Sequence, residues 1–536
     1  MHFLRRPARF SSSAALLAAA LCLMAPSMAD DALIDLPPPI EEGEGMPGVG
    51  DIPEAPPPVA PPAPPAAARD TAPADAFMYV SVTAQRYRFP QPWERMPPQR
   101  RRGMGVLIGE GKILATAELV ADATFIELER ATTGQRLTAR VVFRDYECNL
   151  AVLEPVAPAD GFFDGMKIME IDTAGNLGDV IEVWQFEDDG TPLVSEGWLS
   201  RALIGSYFIP DRRLLRYEFK GSLQNRGGSF ILPAVRDGRL TGIVLGYNAS
   251  DQIADILPAP IIRRFLDDLA EGEYTGFPVL GITYARTTDD QFRRWLGLEP
   301  GEGGIYINRV RPQSAAAEGG LLDGDVLLAI DGFAIDRRGF YQDPDFGPLD
   351  FGHLISGRPE AGQTLEVDIL RDGERMQLQL TPSRTPPGEF LVEPYMFDRG
   401  PRFLMTGGVL FKELTRPFLL SFRDWTTNAP IQLVEAERNQ ELYNEDRRKL
   451  VFLAYTLPTP ATVGYERISS AIVERVNGRP IGDIRDLAEA LDHPQDGLHT
   501  IELEGDLPVL HLDVDLVREV DRQLEAQGIQ PMSRLE

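Results

Sequence analysis

Apolar and polar positions alternate in short runs from about Phe77 onward. MYVSVTAQRYRF (78–89), GVLIG (105–109), TFIELE (124–129), LTARVVF (137–143), LAVLEP (150–155), DVIEVWQF (179–186) and GIVLGY (242–247) are rich in β-branched and aromatic residues, and Gly, Asp and Asn turns part them. A period near two in many short segments predicts an all-β barrel or sandwich over residues 76–272. The period changes at Ala259, where the stretch to Leu269 predicts a helix with Pro260 in its first turn.

A second unit, residues 273–385, mixes strand-like runs (GIYINRV, DVLLAI, TLEVDIL, MQLQL) with two short helices. A third, residues 386–536, carries a strongly charged helical stretch near 432–449 and a last helix near 514–527. IDG at 330–332 and VNG at 476–478 each follow an apolar strand and precede a helix, which suggests related modules.

The first residues change the picture of where the chain goes. Arg5, Arg6 and Arg9 precede an apolar run from Ala14 to Met24, followed by Pro26-Ser27-Met28-Ala29. Residues 1–29 therefore read as a secretory signal peptide cleaved after Ala29 and too short to span a membrane, which predicts a periplasmic protein. Residues 30–75, with PEAPPPVAPPAPPAAA at 53–68, cannot bury a core and predict an extended tether. Cys22 falls in the signal, so the exported chain keeps Cys148 alone and forms no internal disulfide; a buried, inert thiol is expected.

Composition adds exclusions. At 536 residues and 43% hydrophobic the chain is globular and multidomain, and its net charge of −28 repels phosphate backbones and anionic lipid, so no nucleic-acid partner is expected. No later stretch reaches the apolar length of a membrane helix. The histidines are His2, His353, His493, His499 and His511, in no zinc-ligand spacing with a cysteine, and no phosphate-binding glycine loop precedes a helix. No metal or cofactor is expected.

Three motifs carry a resemblance. GMGVLIGEGKILATAELV (103–120), ECNLAVL (147–153) and NRGGSF (225–230), with GRLTGIVLGY and ILPAPIIRRFLDDL downstream, resemble the protease domain of the HtrA/Deg (DegP-like) family, nearest its plant Deg-type members and their bacterial relatives. The resemblance implies a trypsin-like double β-barrel. It puts Glu118 at the family's catalytic histidine, Asn149 at its aspartate and Arg226 at its serine. Acyl transfer through serine needs a base, an orienting acid and a hydroxyl, and here these have become a carboxylate, a neutral amide and a guanidinium. Facing each other across the cleft, Glu118 and Arg226 are expected to pair. The alternative is an active serine endopeptidase with a non-standard site, using Ser222 or Ser229 with Lys220 or Glu118 nearby.

GFPVLGI (276–282) and GGIYINRVRPQSAAAEGGLLDGDVLLAIDG (303–332) are similar to a PDZ domain of the same family. That likeness implies a terminal carboxylate held by the amides of Val279, Leu280 and Gly281, with a peptide pairing to an edge strand from Ile282. His353 is expected on or near the groove helix, exposed or packed. AIVERVNGRPIGDIRDLAEAL (471–491) resembles the family's degenerate C-terminal PDZ-like domain; no carboxylate loop is visible there, and an assembly role is implied. Together these resemblances imply a pseudoprotease acting as a periplasmic scaffold, chaperone or regulator. Its implied partners are unfolded or C-terminal peptides and envelope proteins, and its implied state is a homo-oligomer, a trimer or larger.

Overall fold

The computed structural model describes residues 72–536 except 160, 188, 225–230, 359–361 and 444–446. The expected signal peptide and almost all of the tether, and with them Arg226 and Ser229, lie outside the described residues.

The alternating runs become two closed six-stranded barrels. β1 (Phe77–Ala84), β2 (Gln99–Gly109), β3 (Lys112–Ala115), β4 (Ala123–Glu129), β5 (Arg136–Asp145) and β6 (Leu150–Pro155) close in the order β1-β2-β3-β6-β5-β4. Met78, Val80, Val82 and Ala84 alternate inward along β1 and join Leu107, Ile113 and Leu153 in the core. One helical turn, α1 (Ala117–Val120), follows β3. The second barrel is β7 (Val180–Phe186), β8 (Pro192–Ser206), β9 (Arg213–Gly221), β10 (Leu232–Arg236), β11 (Arg239–Asn248) and β12 (Ile253–Pro258), closing as β10-β11-β12-β9-β8-β7. The helix expected from Ala259 is present as α2 (Ala259–Glu271); its Ile261, Ile262 and Phe265 are buried and its end is turned by Gly272 at φ 91°.

Next comes a sheet of order β13-β14-β15-β19-β20, formed by β13 (Ile282–Arg286), β14 (Ile305–Val310), β15 (Val326–Ile330), β19 (Leu365–Arg371) and β20 (Glu374–Leu380). β16 (Phe333–Ala334) joins β15, and β17 (Phe340–Asp343) with β18 (Gly347–Asp350) makes a separate hairpin. Three short helices, α3 (Asp290–Leu296), α4 (Ala315–Glu318) and α5 (Gly352–Ser356), stand where two were expected. Phe277, Tyr341, Phe346, Phe351 and Leu354 belong to one continuous apolar cluster with Tyr217, Phe219, Ile262 and Phe265, so this unit shares its core with the second barrel.

The last unit adds β21 (Phe403–Thr406), β22 (Val409–Glu413), α6 (Arg416–Leu419), α7 (Trp425–Asn428), α8 (Ile431–Arg438), β23 (Val451–Thr456), β24 (Ala471–Val476), β25 (Arg479–Pro480), α9 (Ile484–Leu491), β26 (Leu498–Leu503), β27 (Leu510–Asp513), α10 (Val514–Ala526) and β28 (Ser533–Arg534). Its sheet runs β27-β26-β24-β23-β22-β21-β28 with β25 on β24. The sequence expected one helix near 432–449, but α8 stops at Arg438 and Asn439 leaves helical geometry at φ −122°, ψ 49°. Beyond Leu433, Val434 and Ala436 the segment has no apolar stripe to bury, and Glu437 turns inward to Arg416.

Candidate functional site

Glu118, the residue expected at the catalytic-histidine position, lies on the single helical turn α1. The amide of Glu118 donates to Asn149 Oδ1 at 2.8 Å, and the amide of Ala117 to the Asn149 carbonyl at 3.2 Å. Asn149 sits at φ 57°, a left-handed conformation that Asn tolerates better than most residues, and it is buried. Its single side-chain acceptor is thus committed to the main chain, while its Nδ2 and the Oγ1 of buried Thr116 have no hydrogen-bond partner among the described residues. Arg101 Nη1 donates to the carbonyls of Glu118 (2.9 Å) and Ala121 (3.2 Å). Burial pushes the Glu118 carboxyl up from its ordinary value; the Asn149 amide, outside hydrogen-bonding geometry, and Arg101 pull it back by less. Ser222 is exposed, and Lys220 Nζ is committed to the Asp251 carbonyl. The expected partner of Glu118, Arg226, lies outside the described residues.

The second candidate is the edge of β13. Among the described residues β13 pairs with β14 on one side and with no strand on the other. The turn before it needs glycine: Gly281 has φ +80°, and a Cβ there would stand 2.5 Å from Ser314 Cβ. The carbonyls of Leu280 and Gly281 accept from Ala316 (3.0 Å) and Arg311 (2.9 Å). One expectation needs correcting: the Val279 amide donates to the Ser383 carbonyl at 3.0 Å and is spent, because the segment after β20 folds back across it. The amides of Leu280 and Gly281 and the strand from Ile282 remain. His353 lies on α5, buried and stacked on Tyr341 at 6.5 Å, and burial drives its pKa down to about 4. It is packing, and the groove side of β13 is marked instead by the edge-to-face contact of Tyr284 with Phe351 at 4.9 Å.

The third candidate has the same plan with its groove filled. β22, β23, β24, β26 and β27 repeat the order of β13, β14, β15, β19 and β20, and β25 joins β24 as β16 joins β15. β22 therefore stands where β13 stands. Its free side is taken by β21, antiparallel with Phe403 opposite Lys412 and Thr406 opposite Val409, and β28 in turn pairs with β21. The turn Thr406-Gly407-Gly408-Val409 leads into β22 as the turn at Gly281 leads into β13. Its Gly407 amide donates to Asp521 Oδ1 at 2.6 Å and Thr406 Oγ1 to Asp521 Oδ2 at 2.9 Å, so a carboxylate from α10 already occupies it.

Residues 278–381 and 392–529 each match a PDZ domain model. Protease Do-like 4, mitochondrial, of Arabidopsis thaliana is 27% identical over 407 residues, 75% of this chain and 74% of that protein. Protease Do-like 2, chloroplastic, of the same plant is 27% identical over 436 residues, 80% of this chain and 69% of that protein. A probable periplasmic serine endoprotease DegP-like of Pseudomonas fluorescens is 24% identical over 310 residues, 55% of this chain and 58% of that protein. The chain is a homologue of the HtrA/Deg proteases that carries two PDZ domains.

In this HtrA/Deg homologue the loop bearing Asn149 is held by residues that its motifs did not reveal. Asp145 and Glu147, both buried, meet the linker between the PDZ domains. Tyr274 Oη donates to Asp145 Oδ2 at 2.6 Å, and Arg384 lies 3.5 Å from Asp145 Oδ1 and 3.1 Å from Glu147 Oε2. Arg212 (3.0 Å) and Tyr395 Oη (3.0 Å) converge on Glu147 Oε1. Asp398 binds Arg144 at 2.6 Å and accepts from Tyr146, and Asp122 and Asp398 each donate their backbone amide to the other's Oδ1, at 2.9 and 2.8 Å. Buried charge is tolerable only when paired on all sides, and this junction satisfies that condition. Cys148 sits beneath it, fully buried, with burial pushing its thiol well above the ordinary value, the inert thiol expected.

Proposed function

We propose that this HtrA/Deg homologue is a pseudoprotease of the periplasm that binds extended peptide ends, unfolded or C-terminal, through its first PDZ domain, as a scaffold, chaperone or regulator in a homo-oligomer. What supports the reading is that Glu118, the residue expected at the histidine position, stands beside an Asn149 whose acceptor is spent, and that the sequence holds no histidine between His2 and His353. Without an imidazole between hydroxyl and acid, the proton of an attacking serine has no ordinary acceptor. The raised pKa of Glu118 favours one second reading, a serine endopeptidase in which that carboxyl is the base for Ser222 or Ser229. No helix among the described residues is long and apolar enough to cross a membrane.

The purified protein, offered an unfolded protein substrate and a fluorophosphonate probe, should neither cleave nor label. Cleavage that disappears in S222A or S229A would establish the second reading instead. Binding of C-terminal peptides should be lost in G281W, which drives a side chain into Ser314 at the mouth of the groove.

A further inference from the structure

We propose that Arg311 is a cationic anchor for the terminal carboxylate of a peptide bound along β13, and that the linker to the second PDZ domain builds this anchor. The inference rests on the peptide-binding reading above and deepens it.

Arg311 follows β14 directly, and its amide donates to the Gly281 carbonyl at 2.9 Å. Its guanidinium lies over the same glycine: a Cβ on Gly281 would stand 3.4 Å from Arg311 Nη2. Nη2 also donates to Thr385 Oγ1 at 3.1 Å, and the guanidinium carbon is 4.9 Å from the centre of the Phe390 ring. Among the described residues it makes no ion pair, although the chain has 81 acidic side chains against 53 basic ones. The neighbouring arginines differ: Arg212 and Arg384 are matched to Glu147 and Asp145. Burial and the nearby Arg212 charge both press Arg311 towards losing its proton, and an anion placed beside it would relieve both.

Three donors therefore surround one turn, the Arg311 guanidinium and the amides of Leu280 and Gly281, and those two amides make no hydrogen bond among the described residues. Charge-assisted bonds of this kind are the strong ones, and a carboxylate at a strand's end is the anion that an edge-paired peptide delivers there. Thr385 and Phe390 lie beyond β20, in the stretch that also supplies Arg384, Tyr395 and Asp398 to the barrel junction. The anchor is thus held from outside the domain that it serves.

The test uses the full chain and an array of C-terminally randomised heptapeptides, each synthesised as free acid and as amide. Affinities of the best binder are then measured by fluorescence anisotropy. The wild type should prefer the acid about tenfold or more. R311M should lower acid affinity about tenfold, leave amide affinity unchanged and bring the preference close to one, while R311K, which keeps charge and fold, retains part of it. F390A should shrink the preference about threefold by freeing the guanidinium. An unchanged acid preference in R311M would overturn the anchor and leave peptide binding intact. An unchanged preference in F390A would remove the linker's part in it. If the wild type bound neither form of any peptide, the reading beneath the proposal would fail, and the proposal with it.

Discussion

The two PDZ domains share a strand order and differ in what lies on one edge. Among the described residues no strand pairs with the outer side of β13; β22, its counterpart, is covered by β21, which is covered by β28. In the turn before β13 the amides of Leu280 and Gly281 make no hydrogen bond among the described residues, whereas the turn before β22 is already bonded to Asp521. An unpaired edge is a template for an added strand, and a chain can keep it for a ligand or close it with its own residues. This protein does each once: among the described residues one edge stays unpaired and the other is covered by its own strands. Trp93 packs on Phe403 at 6.2 Å and Arg534 donates to the Pro92 carbonyl at 3.1 Å, so the covering strands reach back to the first barrel.

The largest expected effect breaks the covering strand. Phe403 is fully buried between β22 and β28, with Trp93 and Arg534 against its ring. Phe403→Ala should cost about 3–5 kcal/mol in urea unfolding. Ile282→Ala at the matching open edge, where the side chain is half-buried, should cost about 1 kcal/mol. Equal costs would mean that β21 is not the structural filler described.

A smaller effect follows from the same covering. Lys412, opposite Phe403, is fully buried where the matching residue of β13, Ala285, is half-exposed. Its Nζ donates to the Phe89 carbonyl and lies 4.1 Å from the centre of the Phe418 ring, and burial lowers its pKa to about 7. For a base lowered on folding, the penalty is complete below the folded value and fades as pH climbs towards the ordinary lysine value. Lys412→Met should therefore stabilise the protein by about 1–3 kcal/mol at pH 6, with the gain shrinking towards pH 10. A gain independent of pH would mean that the amine is not titrating in this range.

These contrasts show what a linear sequence carries and what it leaves out. β1, β4 and β5 were legible because half-buried strands write a period of two into the chain, and β6, β7 and β11 because short apolar runs end at turn residues. β8 was not, since most of Pro192–Ser206 is exposed or half-exposed and its pattern is weak. The hairpin Phe340–Asp350 was missed because its buried residues answer to partners distant in sequence, Phe346 packing on Tyr217 of the second barrel. Glu118 and Asn149 were found through short local motifs. The clamp on their loop was invisible, because Arg384 and Tyr395 are 237 and 248 residues away from Glu147 and leave no periodic trace. The filled groove escaped for a related reason: Gly407 and Gly408 read as an ordinary turn until α10 brings Asp521 to them.

Asp521 gives the finest test of the comparison, because in the second domain it supplies the chemical group that a bound peptide would bring to the first. Burial raises its pKa, and the bonds from the Gly407 amide and the Thr406 hydroxyl offset part of that. For a carboxyl raised on folding, the cost of ionisation is absent below the unfolded value, grows as pH passes through the interval up to the folded value, and is complete above it. Asp521→Asn keeps one acceptor for Gly407 and removes the charge, so its effect at pH 7 should stay below about 1 kcal/mol, since the site is partly open to solvent. The slope of stability against pH in the acid range should flatten in the variant. Peptide binding at β13 should not change. A variant that began to bind free-acid peptides through its second domain would show that Asp521 alone kept that groove closed, and that β21 is a displaceable occupant of it.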